Sequence, residues 1–379
     1  MRFLLLILFS FFISSGNVFP KSGEDPLSEG LVLVYKIQFD SAKVKFDSYV
    51  KSNPKDPAGY FFLALIEWWK INIDRDNEQN DDIFLDKVKK TIEVADEILD
   101  KNENDFSANF YKGGALGYRG LLRSMRESWL KAAEDGKEAL NLLQHSLDIK
   151  PDNKDVLFGI GVYNYFAEFI PDRYPLIKPL MVIFPKGDKI KGLYQIKETA
   201  KDSKYAKYEA RYILSYLYLN FEKNFLELEN YSKDLHSLFP ENPVFEKYLY
   251  TSYVGQGRFN ESLEGYKAIL MKSDSNFTGY RNKTLVREAN YYCAISLYRL
   301  GKLLEAGDYL KKSEELTEIV DKDEATAYGA FTYLMFGMYY DLKGEKSKSF
   351  YYYDKVIAMN NFESSKSEAE NYKKNPFRY

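Results

Sequence analysis

The chain has 379 residues, 45% of them hydrophobic, enough to bury a sizeable core. Charged residues make up 29% with a formal net charge of -3, so the basic stripe of a nucleic-acid binder is missing and no nucleic-acid partner is expected. One cysteine, Cys293, excludes a disulfide within the chain, and two histidines, His145 and His236, leave no zinc-ligand cluster, so no metal or cofactor is expected.

The N-terminus reads as a targeting segment. Met1-Arg2 precedes an apolar stretch from Phe3 to Ile13, broken only by Ser10, and then the small residues Ser14-Ser15-Gly16. A positive start, a short apolar run and a small-residue end make a secretory signal, predicted over residues 1–16. The run is shorter than the roughly 20 residues of a spanning helix, and an uncleaved anchor is the alternative. The expectation is an exported protein, periplasmic or secreted, membrane-associated if the anchor is kept. Residues 17–25 form a short lead-in.

From residue 26 the chain reads as helix after helix. Pairs of small or apolar residues four apart recur as anchors: Ala42 and Phe46, then a weaker copy at Val88, Ile92 and Ala95, then Ala139, Leu143 and Ser146. Gly192 and Ile196 follow, then Leu228 and Ser232, Ser262 and Tyr266, and Ala306 and Leu310. Several copies run into a proline, as at Pro54, Pro151 and Pro240. The steps from Gly192 to Leu228 and on to Ser262 are 36 and 34 residues, and longer steps imply inserts. Between anchors, Ala210, Ile213, Leu214, Leu217, Tyr218 and Phe221 follow one helical stripe. The fullest copy is the last, where Tyr333, Phe336, Gly337 and Tyr340 precede Ser349, Tyr353 and Val356.

That spacing resembles the tetratricopeptide pattern W-x2-L-G-x2-Y…A-x3-F. The resemblance implies an all-α fold, a right-handed superhelical solenoid of TPR-like helix pairs over residues 26–360, with a C-terminal tail at 361–379. No linker divides the array, and the polar stretch DRDNEQNDD at 74–82 reads as a solvated loop.

Two glycine groups need weighing. GGALGYRG holds Gly113, Gly114, Gly117 and Gly120, yet it lacks the Lys-Ser/Thr ending of a phosphate loop and sits where a first helix belongs, so close helix packing is the reading. Gly159 and Gly161 read the same way. The concave groove of such an array is built from first helices, and the candidates there are Asn109, Tyr111, Lys112, Tyr118 and Arg119, with Asn164 and Tyr165 in the next.

The stretch FIPDRYPLIKPLMVIFPKGD carries Pro171, Pro175, Pro179 and Pro185 beside an apolar run. Proline fixes φ and removes a donor, so an excursion between Phe169 and Lys186 is predicted, a proline-rich apolar insert at 170–186. Ile177, Leu180, Met181, Ile183 and Phe184 either plug the groove or contact a membrane surface or partner. From Asp172 to Lys207 nine Lys/Arg face four Asp/Glu, a basic neighbourhood for anionic lipid. Residues 156–200, with Gly159-x-Gly161, Pro171, the apolar stretch, Gly187-Asp188 and Gly192-Leu193, resemble the central block of the tetratricopeptide repeat protein 39 family, also called the inclusion-body clearance family. The resemblance implies a helical scaffold without known catalytic residues, tied in one branch to lipid-associated protein aggregates.

No catalytic residues are predicted. Cys293 occupies a first-helix position as a small buried hydrophobe, and neither histidine has a nucleophile at triad-like spacing. A helical-toroid carbohydrate-active enzyme would need only two carboxylates, and IEWWK (Glu67, Trp68, Trp69) is where a stacked sugar would be sought, but the repeat matches an open superhelix. The reading is a non-enzymatic exported TPR scaffold that binds a protein or peptide partner in its concave groove. The alternatives are a peripheral envelope protein docking through residues 170–186 and, third, the carbohydrate-active enzyme.

Overall fold

The computed structural model describes residues 25–173, 184–321 and 325–379. Among these lie seventeen α-helices: α1 (Pro26–Tyr35), α2 (Phe39–Ser52), α3 (Pro57–Ile73), α4 (Asp81–Leu99), α5 (Phe106–Met125), α6 (Trp129–Ile149), α7 (Lys154–Arg173), α8 (Lys189–Asp202) and α9 (Lys207–Asn220). The chain continues with α10 (Phe225–Leu238), α11 (Pro243–Gly255), α12 (Phe259–Asp274), α13 (Lys283–Arg299), α14 (Gly307–Val320), α15 (Ala327–Leu342), α16 (Lys346–Ala358) and α17 (Ser365–Lys374). The described residues hold no strand, and none of their helices is long and apolar enough to cross a membrane.

Several odd-numbered helices start on short polar caps. Asp25, Asp56 and Asn242 each accept a backbone N–H of the first turn while a proline takes the first helical position. Asp105 and Asn282 cap α5 and α13 alike, their side chains accepting from Ala108 N (2.8 Å) and Leu285 N (2.7 Å). Such caps satisfy amides that a helix start leaves open, and proline there loses a donor that had no partner.

Each odd helix then packs on the even helix that follows, from α1 on α2 to α15 on α16. The anchors predicted from the sequence all fall on the even, second helices or their lead-in, where Ala42, Phe46, Ala95, Ser146, Ile196, Leu228, Ser262, Tyr266, Leu310 and Tyr353 are buried. The small residue opposite is there for a reason. A Cβ on Gly30 would lie 2.3 Å from the Phe46 ring, and one on Gly337 would lie 2.2 Å from the Tyr353 ring. Between α7 and α8 the approach is closer still, since a Cβ on Gly192 would sit 2.6 Å from Gly161 O and from Tyr165 N. The GGALGYRG glycines act similarly: Gly113 and Gly120 face α6, Gly114 faces Phe61, and Gly117 has open space beside it.

Nearest-neighbour stacking is only half of the fold. The first turn of the superhelix closes on itself, because α1 and α3 meet α9 and α11. Asn242 Nδ2 donates to Tyr35 O (3.0 Å) across 207 residues, and Asn282 Nδ2 to Ile73 O (3.1 Å) across 209. The Tyr212 hydroxyl donates to Asn72 Oδ1 (2.7 Å). Accordingly one apolar core runs from Leu27 through Tyr248, and a second from Leu263 to Phe377 serves the later repeats. The superhelical solenoid expected from the repeat is present, and its first turn, α1, α3, α5, α7, α9 and α11, is tight enough to close into a ring where α1 and α3 touch α9 and α11. A repeat pattern encodes contacts between neighbours, whereas closure rests on single side chains such as Asn242.

Two boundaries differ from the sequence reading. α7 continues through Pro171 to Arg173, because a proline in the last turn forfeits one backbone hydrogen bond without ending the helix. Residues 361–379 are no loose tail: α17 packs on α15 and α16, and Phe377 N donates to Asp341 Oδ2 (2.8 Å). Residues 1–16, the segment around Pro175 and Pro179, and Ile177, Leu180, Met181 and Ile183 lie outside the described residues.

Candidate ligand-binding lumen

Closing the ring leaves a lumen at its centre, a cavity of about 380 Å³. Its walls are the inner faces of α1, α3, α5, α7 and α9 with part of α6, and they are mainly aromatic and aliphatic. Phe61, Trp68, Tyr118, Phe166, Phe169 and Phe221 contribute the large surfaces, while Gly114 and Gly117 leave the space unfilled on the α5 side. Its volume falls in the range of small-molecule sites.

Few polar groups reach this wall. Glu209 on α9 is 2% exposed, and its Oε2 accepts from Trp69 Nε1 (3.1 Å) and the Tyr35 hydroxyl (3.2 Å). Among the described residues neither its Oε1 nor Trp68 Nε1 has a hydrogen-bond partner. Burial pushes the Glu209 carboxyl up to about 7, against the pull of Trp69, Tyr35, Trp68 and Tyr118, which all face it. Other buried carboxylates differ: Glu246 pairs with Lys272 (2.8 Å) and Glu288 with Lys247 (2.9 Å), whereas among the described residues no cation pairs with Glu209.

At the C-terminal ends of α3 and α5 the wall carries Arg75. Its Nη2 donates to Asn72 Oδ1 (3.1 Å) and to the Tyr212 hydroxyl (2.5 Å), and the guanidinium lies 5.3 Å from the Tyr216 ring centre. Nearby arginines are paired: Arg126 with Asp81 (2.6 Å), and Arg119 and Arg123 with Asp135 (2.7 and 2.6 Å). Among the described residues, no carboxylate pairs with Arg75.

The groove candidates divide sharply. Tyr111 and Tyr118, seven residues apart and so on one stripe, line the lumen. Lys112 and Arg119, one position on, turn about 100° away toward neighbouring helices; Lys112 pairs with Asp96 (2.7 Å) and Glu138 (3.5 Å), and Arg119 with Asp135. Asn109 is buried at the start of α5, donating to Glu103 O (2.8 Å). Asn164 donates to Gln195 Oε1 (2.8 Å) on α8, and the buried Tyr165 bonds Glu222. Phe184 is buried in the lumen wall with Lys137 Nζ 5.7 Å above its ring.

Of IEWWK, Trp68 reaches the lumen, Trp69 holds Glu209, and Glu67 turns to Lys70 (3.0 Å). The lumen's described carboxyls are Glu209 and Asp155, and Asp155 Oδ1 already accepts Tyr205 N and Ala206 N (both 2.8 Å) at the start of α9. That arrangement offers no free carboxylate pair for glycoside chemistry. Sequence reasoning missed Glu209, Arg75, Asn72 and Tyr212. Glu209 could have been noticed as the acid that opens the apolar stripe of α9; Arg75 was hidden in a stretch read as loop.

No family model and no curated protein matches the chain. Among solved structures, the APC/C hetero-tetramer Cut9–Hcn1 is similar with a TM-score of 0.53 at 12% identity, over 88% of this chain. The fold is a tetratricopeptide-type solenoid. The chain spans about half (52%) of the length of the chain it matches there, and at this identity the likeness concerns fold alone. A tetratricopeptide repeat protein from Parabacteroides merdae (TM-score 0.39, 15% identity, 78% of this chain and 95% of that one) and yeast Tom70 (0.40, 12%, 92% and 81%) are more distant.

Proposed function

We propose that this solenoid is a non-enzymatic binding scaffold that acts outside the cytoplasm and takes an apolar segment of a protein or peptide partner against its inner, first-helix face. The aromatic-walled lumen of about 380 Å³ carries this reading. Apolar walls with a few fixed polar groups hold a ligand in one orientation. The signal-like residues 1–16 support the compartment, and the segment resembling the tetratricopeptide repeat protein 39 family supports a scaffold without chemistry.

Docking on a membrane surface through residues 170–186 is less favoured, because Ile170 and Phe184, at either end of that stretch, both line the lumen.

A photo-crosslinking residue at position 118 tests the proposal in intact cells, with Gly117→Leu in the same chain as the control that fills the lumen. The expected result is an adduct with an extracytoplasmic protein that disappears in the Gly117→Leu chain. Only intramolecular adducts, or an adduct indifferent to Gly117→Leu, would overturn it.

A further inference from the structure

The lumen is apolar nearly all round but electrically lopsided. Among the described residues its wall holds one cation, Arg75, whose acceptors are neutral, Asn72 Oδ1 at 3.1 Å and the Tyr212 hydroxyl at 2.5 Å, while the two carboxyls of the wall, Glu209 and Asp155, each accept from donors of the fold. Both of these bonds use Nη2, so Nε and Nη1 have no acceptor among the described residues. A guanidinium stays protonated at any physiological pH, and leaving it half-buried without a counter-ion is unfavourable. A carboxylate brought in by a ligand supplies that counter-ion and accepts the free donors as charge-assisted hydrogen bonds. Arg75 lies just past the end of α3, and the Tyr216 ring beside its guanidinium begins an aromatic run through Phe221 (5.5 Å) to Phe166 and Phe169 (5.9 and 4.5 Å from Phe221).

We infer that the lumen recognises a long-chain carboxylic acid, with the carboxylate at Arg75 and the alkyl chain along the aromatic wall. This goes beyond the peptide-scaffold reading and rests only on its premise that the lumen takes an apolar chain: the occupant is a small lipid acid, not a protein segment. At the Arg75 end charge complementarity selects the occupant: a neutral alkyl ligand would leave Arg75 uncompensated, and a cationic head placed there would be repelled. Gly117, with nothing within 4 Å of a built Cβ, gives a variant that fills the space without touching the charged end.

The probes are laurate and dodecanol, which share an alkyl chain and differ in charge, each titrated calorimetrically below its aggregation limit into the full chain. Laurate is expected to bind at least tenfold more tightly than dodecanol. Arg75→Gln should remove that preference by weakening laurate at least tenfold, and Gly117→Leu should weaken both ligands at least tenfold. Equal binding of the two by the unaltered chain overturns the inference, a comparison that needs no variant to fold. If both bind equally and Gly117→Leu abolishes both, the lumen still takes an apolar chain and only the anionic end is wrong. If neither binds, the inference fails, and the fate of the crosslink at position 118 decides separately whether the scaffold reading stands.

Discussion

Replacing Glu209 by Gln should make the protein more stable, by a margin that grows between about pH 4.5 and 7 and is constant above. In the unfolded chain this carboxyl titrates near 4.5, and in the fold burial pushes it up to about 7. Between those values the folded state holds a proton that the unfolded state has released, so stability falls as pH rises through this window and levels off above it. At about 1.4 kcal/mol per tenfold change in proton affinity, the full loss is about 3 kcal/mol. Glutamine has no proton to lose, and its Oε1 can accept from both Trp69 Nε1 and the Tyr35 hydroxyl, the two donors now served by Glu209 Oε2. Urea unfolding at pH 5 and pH 8.5 of both proteins isolates the effect, since all other titrating groups cancel in the difference. The variant's advantage should be larger at pH 8.5 than at pH 5 by about 2–3 kcal/mol. An advantage that does not grow with pH, or a variant weaker at pH 8.5, would show that the carboxylate is comfortably ionised in the ring and refute the reasoning.

Asn242→Ala removes both the cap of α11 and the bond to Tyr35 O, and a loss of about 2–4 kcal/mol in urea unfolding is expected together with a larger radius of gyration in solution scattering. Gly192→Ala drives a methyl group into the backbone of α7 and should lower stability by about 2–3 kcal/mol, read from the same denaturation midpoint. Cys293 is buried and its thiol is pushed up to about 12 by that burial; a small disulfide reagent at pH 8 should react with the native protein about a thousandfold more slowly than with an ordinary thiol, and at a normal rate in urea.

The repeat was legible because it is written many times. Each of the anchors at Phe46, Ser146, Ile196, Tyr266 and Tyr353 obeys the same packing need between a second helix and its partner, so the pattern survives any one departure. Glycine offsets carried similar information: Gly30 stands opposite Phe46 and Gly337 opposite Tyr353, each sixteen residues on. The ring was not legible. Asn242 and Asn282 look like ordinary helix caps, and nothing in their local sequence says that each amide nitrogen reaches a carbonyl more than 200 residues earlier. The lumen inherits this blindness. Tyr118 could be placed on the inner face by helical spacing, but Lys112 and Arg119, one step round the helix, could not be told from it without knowing where α4 and α6 sit. Glu209 and Arg75 matter only because distant helices close over them.

Ring closure also changes how the polypeptide must be made. A linear stack can settle repeat by repeat as it emerges, each pair sheltering on the last. Here α1 and α3 present Tyr35, Trp69 and Asn72 to partners that arrive only with Glu209, Tyr212, Asn242 and Asn282. Until then a large aromatic surface waits uncovered, and sequence separation of this size slows folding. The N-terminal repeats are consequently the part of the nascent chain most in need of a chaperone, and the number of repeats between α1 and α11 is fixed. Inserting or deleting a helix pair there would break the circle, and α13 is tied in as well, since its cap Asn282 holds Ile73 O; the pairs after α14 carry no such contact among the described residues.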